Sequence, residues 1–180
     1  EVDQRQGGCF KISRAGRNYN QESLGGYRLV TNHLAVDVGA NGGFVGIVDE
    51  APYYNNMFAY PMPRTPKEIA ELLVRLNPRV AWVEKVSGYI GKAHPSSRMF
   101  NFGMNYGIIL GLLHGMDTEV NLVRPQTWQK PLNLPKTKDR MAHKRLLKER
   151  AIELYPNLKL TLKTCDAALI LHYAMNNNKQ

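Results

Sequence analysis

Two apolar runs separated by glycines place the strongest constraint on how this chain can fold. Residues 34–38 form a short apolar run, which is followed by Gly39, Gly42 and Gly43 and then by the β-favouring residues 44–48. Short runs of this kind, bounded by turn residues, are typical of strands. The sequence therefore predicts two antiparallel strands joined by a glycine-rich turn.

Helical and strand patterns alternate after this pair. Thr65-Pro66-Lys67-Glu68 is a capping-box sequence that should begin a helix, and Asn77-Pro78 should end it. Two further strands are predicted over 80–83 and 120–123. Three further helices are predicted, over 98–113, over 138–154 and from Thr164 onwards. Interleaved strands and helices indicate an α/β fold rather than a helical bundle.

Three glycines lie four residues apart in the predicted helix 98–113, at Gly103, Gly107 and Gly111. They would line one face, where the absence of side chains lets another backbone approach closely. This spacing is compatible both with close packing without any ligand and with a functional face.

The size of the chain bounds its organisation. At 180 residues it is long enough for one domain with its own core. We expect residues 1–28, which are polar and lack a sustained period, to form an arm or linker, with a weak edge strand at 9–12, and residues 29–180 to form the domain. The longest apolar run, 108–113, is too short to span a bilayer, so no membrane association is expected. Cys9 and Cys165 have no metal-binding or disulfide spacing, which favours a reducing, intracellular compartment.

Positive charge points to a polyanionic partner. The chain has 24 Lys and Arg against 15 Asp and Glu, a formal charge of +9. Residues 130–150 hold eight basic and two acidic residues, and two acids cannot neutralise eight bases by pairing along a helix. This stretch is therefore predicted to contact phosphates.

Three carboxylates interrupt otherwise apolar segments, at Asp37, Glu84 and Asp166. A carboxylate beside a buried strand is costly unless it is paired, hydrogen-bonded or bound to a cation, so a shared metal site is one reading. The other is that each is satisfied separately, by arginine or by backbone amides, with Asp166 favoured at a helix N-terminus.

Five segments, in order, resemble one known family. Residues 34–43, around Asp37, resemble the first-strand motif of RNase H-like nucleases, and more closely that of RuvC-type Holliday junction resolvases of bacteria, phages and organelles. Residues 82–86 and 102–107 resemble the second acidic motif and the helix motif after it. Residues 123–130 are similar to the Pro-x-x-Trp-x-Lys segment of the phage-like branch, and 166–170 to the closing Asp-Ala motif. The resemblance runs from about His33 to Met175.

The resemblance implies an RNase H-like α/β fold, with a mixed β-sheet flanked by helices on both faces. It implies a homodimer that holds a four-way DNA junction and nicks two opposed strands by phosphodiester hydrolysis. Two Mg²⁺ ions, for which Mn²⁺ can substitute, would activate water and stabilise the leaving oxygen. Asp37 would bridge the ions, and Glu84 and Asp166 would each hold one.

DNA contacts are expected from residues near the acids and from the basic stretch. Tyr89 would either stack on a base or pack locally. The expected DNA-binding residues are Lys85, Tyr89, Lys92, Arg98, Asn105, Lys130, Lys136, Lys138, Lys144 and Arg145.

The sequence departs from the family at one position. Members place a fourth ligand, usually Asp, three or four residues before the closing Asp, where this chain has Leu162 and Lys163. Lys163 would be either a catalytic cation or a loop lysine that touches phosphate. The departure would also be explained by a weakly held second metal, by a replaced natural residue, or by a junction-binding protein with reduced catalysis. A separate alternative for the function is a nuclease of the same fold that acts on forks, flaps or RNA:DNA hybrids.

Overall fold

Five strands form one mixed sheet at the centre of the computed structural model, which describes residues 31–48, 56–85 and 96–177. The strands are β1 Thr31–Asp37, β2 Gly43–Val48, β3 Met57–Pro61, β4 Val80–Glu84 and β5 Glu119–Val123. The helices are α1 Pro66–Leu76, α2 Ser96–Gly115, α3 Pro125–Gln129, α4 Arg140–Leu154 and α5 Cys165–Asn177, with a 3₁₀ turn at Lys130–Leu132.

The strand order is β3-β2-β1-β4-β5, so β1 is central. The β1–β2 and β2–β3 pairs are antiparallel, whereas β1–β4 and β4–β5 are parallel. Because β4 and β5 return parallel to β1, their connections cross over through helices, as parallel strands require. The fold is α/β, with a mixed sheet whose strand order and directions are those expected from the RNase H-like resemblance, which confirms the predicted fold class.

Alternate residues of the central strands face two different helical layers. Leu34 and Val36 pack with α1 and α2, whereas Ala35 packs with α3, α4 and α5. Each strand therefore supplies apolar contacts to both layers, as a sheet covered on both faces requires.

The predicted elements are confirmed where the local signals are strong. Thr65 caps α1 in a full capping box with Glu68, and Asn77 ends it in the left-handed conformation. Asp139 caps α4 through the amides of Met141 and Ala142, so that helix begins two residues later than predicted.

Two elements were missed. β3 was not predicted because the pattern of Met57–Pro61 is short and ends in proline, a residue tolerated only at a strand edge or end. The short helix α3 was not predicted because a proline after an apolar run also marks the end of a strand, although Pro125 here begins the first turn of the helix.

The glycine face of α2 does not pack against the rest of the described chain. A Cβ built on Gly103, Gly107 or Gly111 would meet no atom within 4 Å among the residues placed by the structure. Within the described residues, this face therefore does not pack closely against another element of the chain. Such packing was one of the two interpretations of the spacing.

Several sequence expectations fall on other parts of the chain. The arm 1–28, the edge strand 9–12, Tyr89 and Lys92 lie outside the described residues, and Arg98 lies in α2 with its side chain undescribed. Among the described helices, none combines the length and apolarity needed to cross a membrane.

Candidate active site at the carboxyl edge of the sheet

Two of the three carboxylates end adjacent parallel strands. Asp37 is the last residue of β1 and Glu84 the last of β4. Val36 pairs with Val83, so the next residues along both strands, Asp37 and Glu84, lie side by side. By alternation both side chains face the layer of α3, α4 and α5.

A glycine turn follows Asp37. The amide of Gly39 donates a hydrogen bond of 3.2 Å to Asp37 Oδ1, and the amide of Gly42 donates to the carbonyl of Gly39 at 2.7 Å. A Cβ on Gly42 would lie 2.7 Å from the Asp37 carboxyl carbon and 2.2 Å from its backbone oxygen. The turn therefore needs glycine at this point to wrap closely around the carboxylate.

Asp166 enters the site from the helical layer. It lies in the first turn of α5, a helix that packs over β1, β2 and β4. Lys144 of α4 donates a hydrogen bond from Nζ to Asp166 Oδ2 and forms an ion pair with it. The two side chains are only 26% and 15% exposed, so this pair is largely shielded from solvent.

Burial and mutual repulsion make Asp37 and Glu84 unusually easy to protonate. Burial, followed by the charge of Asp166, raises the pKa of Asp37 to about 6, although Lys144 and the Gly39 amide oppose the shift. Burial, followed by Asp37 and Asp166, raises the pKa of Glu84 to about 7. The site thus holds more negative charge than its own cation compensates.

Trp128 is a site residue that the sequence did not reveal. Its side chain is buried in the core and only 1% exposed, and its Nε1 donates a hydrogen bond of 3.2 Å to Glu84 Oε1. Because Trp128 lies in α3, the missed helix, its indole could not be placed beside Glu84 from sequence alone.

The donor set suits a hard divalent cation, although it is not a closed cage. Within residues 31–48, 56–85 and 96–177, no three His, Cys, Asp or Glu side chains form a ready group for holding a metal. The three carboxylates nevertheless act on one another electrostatically, and carboxylate oxygens are the ligands that Mg²⁺ and Mn²⁺ prefer. A divalent ion would relieve the repulsion that raises the pKa values of Asp37 and Glu84. The chemistry of the residues therefore fits the metal that the sequence resemblance implies.

Lys144, expected on the solvent face as a phosphate contact, reaches the site instead. It shares a helix face with the buried Leu147 and Ala151, at spacings of three and seven residues. That spacing was the available signal that Lys144 turns inward.

Lys163 lies beside the start of β2, where a Cβ on Gly43 would be 3.1 Å from its carbonyl oxygen. It is exposed in the turn before α5, where its amide donates to Thr161 Oγ1 at 3.2 Å. Among the described residues, the cation in contact with Asp166 is Lys144.

The other expected DNA-binding residues that the structure describes lie in several different elements. Lys85 directly follows Glu84 and is exposed, whereas the half-buried Asn105 lies in α2, in the opposite layer. Four exposed cations lie in or near the 3₁₀ turn and α4, namely Lys130, Lys136, Lys138 and Arg145.

Comparison with known proteins gives similarity to solved structures at low sequence identity. No protein-family model matches the chain, and no curated protein matches it. Thermus thermophilus RuvC is similar at 14% identity and a TM-score of 0.47, over 83% of this chain and 96% of that chain. The same protein in complex with a Holliday junction substrate is similar at 13% identity and a TM-score of 0.47, over the same shares.

Proposed function

We propose that this chain is a metal-dependent endonuclease that cleaves branched DNA, with the four-way junction as its substrate. The observation that carries the proposal is the placement of Asp37 and Glu84 side by side at the carboxyl edge of an RNase H-like sheet, with Asp166 entering from α5. The ordered motifs 34–43, 82–86, 102–107, 123–130 and 166–170 support the junction as the substrate.

Asp37, Glu84 and Asp166 would hold the divalent cation. Mg²⁺ or Mn²⁺ bound there supplies a Lewis acid and a water of lowered pKa, which is the chemistry that phosphodiester hydrolysis needs. We propose that two ions would be held at each site by Asp37, Glu84 and Asp166.

The surrounding residues keep the carboxylates in place. The Gly39 amide fixes one oxygen of Asp37, and the Trp128 indole fixes one oxygen of Glu84. Both bonds favour the ionised form of the carboxylate they touch, and the ionised form is the one that binds a cation. Binding of the metal should therefore strengthen as pH rises through 6 to 7, where Glu84 and Asp37 lose their protons.

We further propose a homodimer. Two opposed incisions in a four-way junction need two active sites, and a twofold axis presents them in matched positions. Sedimentation of the free protein and of its junction complex tests this, and a monomer in both states would contradict it.

The main test is cleavage of a synthetic four-way junction with Mg²⁺, with each strand labelled in turn. Paired nicks at symmetric positions on two opposed strands are expected, and EDTA should prevent them. A replication fork, a flap, an RNA:DNA hybrid and a linear duplex of the same sequence are the comparison substrates. Faster cleavage of fork, flap or hybrid would assign the chain to another nuclease of this fold.

A second candidate is a junction-binding protein with reduced catalysis. The Lys144–Asp166 ion pair favours it, because a resident ammonium occupies an oxygen of one proposed metal ligand. Lys144→Gln should then raise the affinity for Mn²⁺ by roughly ten-fold, since it removes a positive charge close to the cation. The change is measured by calorimetric titration, with Arg145→Gln, an exposed cation on the same helix, as the matched control. Tight junction binding by the parent with no cleavage in Mg²⁺ or Mn²⁺ would decide for this candidate.

A further inference from the structure

Two cavities lined by basic residues lie in the helical layer that also carries the carboxylates. The first, of about 390 Å³, lies beside β4 and β5 and is lined by Lys85, Arg124 and Thr127, among others. We call it the β5 cavity. Lys85 and Arg124 are both exposed at its mouth.

The second cavity, of about 480 Å³, lies beside β3. Its charged lining is Lys148 of α4 together with Lys159 and Lys163 of the segment before α5. We call it the β3 cavity. Lys163 therefore lies close to two other lysines in the lining of this cavity.

Neither cavity contains a compensating acid. No Asp or Glu lines either one, and none of these five cations has a carboxylate partner within the parts of the chain that the structure describes. Trp82 also lines the β5 cavity, and its buried Nε1 has no acceptor among the described residues. Unneutralised cations and an unused donor suit an anionic ligand with hydrogen-bond acceptors.

The register of the sheet places the two cavities at opposite ends of one row. Pro61, in the lining of the β3 cavity, pairs with Gly43, and Gly43 pairs with Asp37. Asp37 lies beside Glu84, which pairs with Val123 in the lining of the β5 cavity. The row therefore runs from one basic cavity, across both carboxylates, to the other.

The length of this row suits a short piece of one nucleic acid strand. Five strands at a spacing of about 4.8 Å make the row about 19 Å long. At a rise of about 3.4 Å per nucleotide, this corresponds to roughly five or six nucleotides.

We propose that the DNA strand to be cut lies along this row, with backbone phosphates on either side of the scissile one bound in the β3 and β5 cavities. Arg124 and Lys85 bind the phosphate at one end, and Lys148, Lys159 and Lys163 bind the phosphate at the other. This inference rests on the proposed function and adds to it the path of the strand. It gives Lys163 a positioning role in binding rather than in the chemical step.

The test replaces single phosphates of the junction with neutral methylphosphonates and measures affinity in EDTA, so that every strand stays intact. For the parent protein, each substitution that removes a bound phosphate should weaken binding by roughly three- to ten-fold. Sensitive positions are expected on both sides of the nick site found in the cleavage assay.

Variants at each cavity then assign the positions. Arg124→Gln should lose sensitivity on one side of the nick only, and Lys159→Gln on the other side only. Each should also lower the slope of log K against log salt by about one. Lys67→Gln, an exposed lysine of α1 in the opposite layer, is the matched control and should keep the parent pattern.

The outcomes separate this inference from the proposed function. If the parent cleaves junctions but both cavity variants keep its phosphonate pattern, or both lose the same position, the strand does not follow the row. If the parent neither binds nor cleaves junctions, the proposed function fails and the strand path fails with it.

Discussion

The two faces of the central strands differ in what they carry. On the face towards α1 and α2, Val36 and Val83 are fully buried and apolar. On the other face the next residues along the same strands are Asp37 and Glu84, whose pKa values are raised by burial. Both faces carry an apolar core, but the face towards α3, α4 and α5 also holds two carboxylates close together, which lowers the stability of the fold.

The largest expected difference between the faces is in catalysis. Asp37→Asn, Glu84→Gln and Asp166→Asn should each reduce junction nicking by at least about 10³-fold, because each removes an ionised ligand of the proposed metal site. Junction affinity should stay near that of the parent, since phosphates are bound by the basic residues. Single-turnover cleavage and anisotropy measure the two effects. Substantial cleavage by one of these variants would remove its residue from the site.

A substitution on the opposite face should have the reverse profile. Leu73 of α1 is fully buried, so Leu73→Ala should lower the free energy of unfolding by about 3 kcal/mol. At temperatures where the variant stays folded, nicking should match the parent rate. Urea unfolding gives the stability, and a large loss of cleavage by the folded variant would show that the two faces are not independent.

The raised pKa of Glu84 should make the stability of the fold depend on pH. The folded-state pKa of Glu84 is raised from 4.5 to about 7, so the folded state binds more protons than the unfolded state between these values. Stability from this group is therefore present at low pH and is lost as pH rises towards 7. In EDTA, Glu84→Gln should be more stable than the parent at pH 8, by on the order of 2 kcal/mol, with the gap closing near pH 4.5. Equal pH profiles of the parent and of Glu84→Gln in thermal unfolding would show that the surroundings do not raise the pKa of Glu84.

The smallest effect concerns the start of α1, in the helical layer opposite the one that Asp37 and Glu84 face. Thr65 Oγ1 accepts from the Glu68 amide at 3.2 Å, and Glu68 Oε2 accepts from the Thr65 amide at 3.0 Å. Thr65→Ala should cost about 1 kcal/mol of stability and leave nicking unchanged. Thr65→Ser, which keeps the acceptor, is the control and should restore most of the loss.

Local signals account for what the sequence could predict. The capping box at Thr65, the glycine turn after Asp37 and the acidic end of β4 each depend on neighbouring residues, and the structure contains all three. Asp37 and Glu84 lie side by side because of the register between β1 and β4. The family resemblance implied that these two residues share a site, whereas their spacing in the sequence alone did not.

The missed features depend on contacts between distant segments. Trp128 reaches Glu84 across 44 residues of sequence, and Lys144 reaches Asp166 across 22. The local sequence predicts Lys144 as a phosphate-contacting cation and does not reveal the contact between Trp128 and Glu84. The clearest sequence signal that Lys144 turns inward was the helix face that it shares with the buried Leu147.

The position of α5 also sets when the three carboxylates come together during synthesis. Asp37 and Glu84 belong to the first four strands, whereas Asp166 lies in the last helix of the described chain. During synthesis, early segments emerge and collapse before late ones. A nascent chain therefore carries two of the three acids while still tethered to the ribosome, and the set is completed only when α5 emerges and docks over β1. An unfinished chain therefore lacks the third of the proposed metal ligands until α5 is in place.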